Sequence, residues 1–60
     1  MSNKITELRQ QKGWSQSELA KRLGVTRSHI NKIEKGKTNA SIALLERIAK
    51  EFGVSVKDFF

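Results

Sequence analysis

The stretch from Arg27 to Asn39 concentrates side chains suited to recognising a polyanion. Arg27, Lys32, Lys35 and Lys37 carry positive charge, Ser28, Asn31, Thr38 and Asn39 donate and accept hydrogen bonds, and Glu34 is the sole acid among them. Arginine and lysine match the paired acceptors of a guanine edge, asparagine bridges the donor and acceptor of adenine, and serine serves either. Set on a helix turning about 100° per residue, Ile30 and Ile33 mark one buried side. Ser28 and Lys35 then fall at the centre of the opposite face, with Arg27, Asn31 and Lys32 beside them. This face predicts base reading by Arg27, Ser28, Asn31 and Lys32. Lys35 and the polar loop Lys37, Thr38 and Asn39 are placed for flanking phosphates. His29 lies on the edge of the stripe, where a phosphate contact and an ordinary half-exposed histidine are both open. A polar outer face on an anonymous helix is most often only solvated, so the surroundings must decide.

Composition narrows the choice. Sixty residues allow one domain, 1–60, whose core is thin. Twelve Lys and Arg against six acids leave a formal charge of +6, which favours nucleic acid or an anionic membrane. Without cysteine, and with His29 as the one imidazole, neither a disulfide nor a metal site is expected. No cofactor motif or nucleophile–base pair can be assembled, so no enzyme is expected. The longest apolar run, Ile42 to Leu45, is too short for a membrane span or an export signal, which is compatible with a cytoplasmic protein. A membrane-surface helix would need bulky apolar residues opposite a basic face, and each helix here needs its apolar face for the core.

Helix starts and stops are written plainly. Ser15 and Glu18 form a capping box with Trp14 and Leu19 as a hydrophobic staple; Thr26 repeats the start with Val25 and Ile30; Ser55 repeats it with Asp58, Val54 and Phe59. Gly13, Gly24, Gly36 and Gly53 each follow a helical stretch. The spacing predicts an all-α fold of five short helices: Asn3 to Lys12, Gln16 to Leu23, Arg27 to Lys35, Ile42 to Phe52, and Val56 to the end. Ile5, Leu8, Leu19, Ala20, Leu23, Ile30, Ile33, Ile42, Leu45, Ile48, Ala49 and Phe52 are the expected core.

Only Gly24, Val25 and Thr26 separate the second and third helices, so the two must cross sharply, as in a helix-turn-helix spanning about 16–35. The run Trp14-Ser15-Gln16-Ser17-Glu18-Leu19-Ala20-Lys21-Arg22-Leu23-Gly24-Val25-Thr26, followed by Ile30-Asn31-Lys32-Ile33-Glu34-Lys35-Gly36-Lys37, resembles the Xre/Cro, phage lambda repressor-like family. Ala40 departs from it where many relatives carry proline, which should loosen the loop, and Trp14 replaces a more usual leucine.

The resemblance implies a bacterial or phage-encoded, nucleoid-associated transcriptional regulator, a repressor that binds a palindromic operator in double-stranded DNA as a homodimer. Its third helix would enter the major groove, Gln16 would contact phosphate, and Arg9 and Glu34 would form a partly buried structural ion pair. An antitoxin or a restriction-modification controller on the same fold is the alternative. Nothing points to a membrane or small-molecule partner. Phe59 is assigned inward by its staple with Val54, which leaves Phe60 on the side of Val56 as the expected dimer edge, with Leu44 next in line.

Overall fold

A computed structural model describes residues 4–59 as four α-helices and a closing turn: α1 Lys4–Gln11, α2 Gln16–Leu23, α3 Arg27–Glu34, α4 Ile42–Phe52, and a 3-10 turn Val56–Phe59. Asn3, the expected first residue of α1, and Phe60 lie outside the described residues. The expected fifth helix is thus a single 3-10 turn. Ser55 N–H does donate to Asp58 Oδ2 at 3.2 Å, as a capping box requires, but the Asp58 N–H returns to the Ser55 carbonyl at 2.9 Å. That three-residue closure is the tighter 3-10 bond, and four residues do not offset the cost of nucleating an α-helix.

Each longer helix from α2 onward starts on a hydroxyl that accepts from a backbone amide three residues on: Ser15 from Glu18 at 3.0 Å, Thr26 from His29 at 3.1 Å, and Ser41 from Leu44 at 3.1 Å. The turn between α2 and α3 depends on Gly24, whose φ of 71° lies in the left-handed region. There Gly24 N–H reaches the Lys21 carbonyl at 3.3 Å and Val25 N–H the Ala20 carbonyl at 3.0 Å, which closes α2 and sends the chain directly into the Thr26 cap. The sharp crossing that presents α3 therefore rests on one residue without a side chain.

The core joins all four helices: Ile5 and Leu8, Leu19, Ala20 and Leu23, Ile30 and Ile33, and Leu44, Ile48 and Phe52, with Ala49 buried alongside. Trp14, Val25, Ala40, Leu45, Val54 and Phe59 pack partly buried against it. Two assignments on α4 are corrected. Leu44, expected at an exposed dimer surface, is 8% exposed, whereas Ile42, expected in the core, is 67% exposed. The two lie at about equal angles, some 80°, either side of the buried stripe formed by Ile48, Ala49 and Phe52. Their heights along the helix separate them. Ile42 is the first residue of α4, at the rim of the bundle, while Leu44 is a half-turn further in.

Trp14 makes a clasp of its own. Its ring stacks on Phe52 at 5.6 Å between centroids, and the Arg22 guanidinium lies 4.1 Å over its face. Arg22 in turn pairs with Glu18 at 3.0 Å and Glu51 at 3.3 Å, tying α2 to the end of α4. The Glu18–Arg22 spacing of one helical turn is the kind that places two charges side by side.

Candidate nucleic-acid interface

With Ile30 and Ile33 buried and Glu34 turned toward α1, α3 leaves its remaining residues to the outer face. Arg27, Ser28, Lys32, Lys35 and Lys37 are exposed, and Asn31 and His29 are half-buried. Arg27, Ser28, Asn31, Lys32 and Lys37 line one concave surface of about 440 Å³. All four predicted base readers and one predicted phosphate contact are thereby brought together. Lys35, Thr38 and Asn39 are not in that lining; Asn39 is exposed and Thr38 half-buried in the loop before α4.

The charge of this surface is one-sided because its single acid is turned away. Glu34 is 5% exposed in its side chain and pairs with Arg9 of α1, 13% exposed, through an Nε–Oε2 contact of 2.8 Å. Arg9 Nη2 also donates to Glu34 Oε1 at 3.2 Å, and Arg9 Nη1 donates to the Trp14 carbonyl at 2.7 Å. All three guanidinium nitrogens are therefore engaged, in the forked geometry that suits arginine to a carboxylate. The partly buried ion pair expected from the sequence is present.

Two further donors complete the carboxylate. Thr6 Oγ1 donates to Glu34 Oε1 at 3.0 Å and Gln16 Nε2 to the same oxygen at 3.2 Å. Burial pushes the Glu34 carboxyl up, but the hydrogen bonds from Arg9, Gln16 and Thr6, with the Arg9 charge, outweigh it and hold it below its ordinary value. Gln16 then accepts through Oε1 from Asn31 Nδ2 at 3.3 Å. Both ends of the Gln16 amide are thus used inside the protein, leaving one N–H for an outside acceptor. The roles of Thr6 and of the Gln16–Asn31 bond went unread in the sequence. Thr6 was legible in principle, since it stands three residues before Arg9 and shares its helix face.

Among the described residues no group of His, Cys, Asp or Glu is arranged to hold a metal ion, and no helix is long and apolar enough to cross a membrane.

This arrangement has close counterparts. An HTH-type transcriptional regulator of Methanocaldococcus jannaschii is 47% identical over 60 residues, covering 100% of this chain and 91% of that protein. Among solved structures, the biofilm master regulator SinR in complex with DNA superposes with a TM-score of 0.83 at 41% identity, covering 92% of this chain and 89% of that one. The restriction-modification controller C.AhdI from Aeromonas hydrophila gives 0.85 at 32% identity, covering 93% and 85%. The sequence pattern of the family described as Helix-turn-helix matches residues 5–59, from the first core residue of α1 through the closing turn, and the chain belongs to that family.

Proposed function

We propose that this chain is a sequence-specific double-stranded DNA-binding transcriptional regulator, a repressor that occupies a palindromic operator as a homodimer. One observation carries the reading: the exposed face of α3, set off by the tight α2–α3 turn, gathers Arg27, Ser28, Asn31, Lys32 and Lys37 on one concave basic surface. A helix of eight residues so presented has the dimensions and donors for a major groove. Arg27, Ser28, Asn31 and Lys32 read bases; Gln16, His29, Lys35, Lys37, Thr38 and Asn39 hold phosphates and fix the register. The likeness to SinR, solved with DNA, supports this reading. The likeness to C.AhdI supports control of a restriction-modification operon as one setting for it.

The test is binding to a randomised duplex library. Arg27→Ala and Lys32→Ala should each relax base preference at particular positions, at about 1–3 kcal/mol apiece. Lys37→Ala should weaken all sequences alike and lower the slope of log affinity against log salt by about one unit. Unchanged preference in both α3 variants would remove α3 as the reader.

Dimerisation follows from area. One small module covers roughly 600–1,000 Å² of its own surface on DNA, too little for tight and selective binding alone. A two-fold pair doubles the contacts and spaces two half-sites about one helical turn apart. With Leu44 in the core and Phe60 outside the described residues, half-buried Val56 on the closing turn is the described part of the proposed interface. Sedimentation equilibrium should give a dimer for the wild type and a weakened one for Val56→Asp. A wild type that stays monomeric at high micromolar concentration and fills a single half-site would refute the dimer.

A further inference from the structure

Among the described residues, the ion pair between α1 and α3 touches the recognition face through one side chain, Gln16. An ionised carboxylate offers acceptors only, so the end of the Gln16 amide that meets Glu34 must be Nε2. The bond is 3.2 Å long. The other end of Gln16 is then an acceptor, and the Asn31 amide has to meet it with Nδ2, which it does at 3.3 Å. Glu34 cannot turn to relax this order, because Arg9 grips it at Oε2 from 2.8 Å and at Oε1 from 3.2 Å, and Thr6 holds Oε1 from 3.0 Å.

We propose that Glu34 is a positioning residue for base recognition: acting through Gln16, it fixes the direction of the Asn31 amide and so makes Asn31 selective for adenine over guanine. The inference rests on the DNA reading above. Pinned in this way, Asn31 keeps one N–H and its Oδ1 for the groove. Adenine presents an acceptor beside a donor there and satisfies both, whereas guanine presents two acceptors, one of which must face Oδ1. A free amide escapes that conflict by turning its NH₂ toward guanine. A pinned one cannot. The buried carboxylate thus sets a chemical preference on a surface that it does not itself reach.

Two measurements test the proposal, each on wild type, Glu34→Gln and Gln16→Met. In the free protein, ¹⁵N relaxation of the Asn31 side-chain amide should report an order parameter close to that of rigid backbone, about 0.85, falling below about 0.6 in both variants. In the duplex library, the base pair at which Asn31→Ala loses its adenine preference should lose adenine-over-guanine discrimination in both variants as well, on the order of tenfold. Gln16→Met leaves the bonds among Thr6, Arg9 and Glu34 intact, so it decides the matter if Glu34→Gln proves unfolded by circular dichroism. A merely structural Glu34 would lower affinity for every sequence alike, and an unchanged base profile in both folded variants overturns the proposal. So does an Asn31 amide equally ordered in all three proteins, while the DNA reading survives. A wild type that binds no member of the library overturns the DNA reading, and the recognition role of Glu34 falls with it.

Discussion

Replacing Arg9 by alanine is expected to destabilise the protein by up to about 3–5 kcal/mol, because it leaves the partly buried Glu34 carboxylate without its charged partner. The pair is partly buried, at 13% and 5% side-chain exposure, so solvent screening relieves only part of the loss. A chain of 60 residues has roughly 3–9 kcal/mol to lose at about 0.05–0.15 kcal/mol per residue. Arg9→Ala should therefore populate the unfolded state at room temperature, visible as a sharply lowered urea midpoint. Removing both partners should cost much less than the sum of the single changes. Coupling near zero in the double-mutant cycle would mean that the two side chains do not act together.

The same pair gives a pH dependence of definite sign. Glu34 is held below its ordinary value of 4.5, so folding favours the ionised form. Its contribution is complete above the ordinary value and is lost as pH falls through the lower folded-state value. Without Arg9, the largest of the lowering causes is gone, and the preference for the ionised form shrinks. The stability gap between wild type and Arg9→Ala should therefore narrow on acidification below about 4.5. A gap independent of pH across that window would count against the pair as its source.

The second large effect lies in the core. Leu19 is fully buried, and Leu19→Ala should cost about 2–5 kcal/mol, most of what the protein has. Ile42→Ala, at a residue 67% exposed, should stay within about 0.5 kcal/mol. Chemical denaturation of the two variants side by side separates them. Equal losses would put Ile42 back among the core residues.

That contrast also marks where the sequence stopped being legible. Starts and stops are local chemistry, and Ser15, Thr26 and Gly24 set the helix-turn-helix within a residue. Burial on α4 is different, because Ile42 and Leu44 are equivalent by angle and only the surrounding helices tell them apart. The end of the chain carried a valid start signal at Ser55, but a start signal does not fix how many turns follow it. For the candidate site, the outward face of α3 followed from where Ile30 and Ile33 point, and the Arg9–Glu34 pair from the family resemblance. The route from Glu34 through Gln16 to Asn31 crosses two helix boundaries at separations of 18 and 15 residues, and no periodicity encodes it.

The clasp at Trp14 has a practical consequence. The chain contains one tryptophan and no tyrosine, so its near-ultraviolet fluorescence comes essentially from one indole ring. That ring packs on the Phe52 ring and under the Arg22 guanidinium, at the meeting of the start of α2 and the end of α4. Loss of the fold parts those elements and passes the indole from an aromatic and cationic surround into water, shifting its emission to the red. The protein thus carries a native optical label at a single site, which follows the closure of its helices without any added dye.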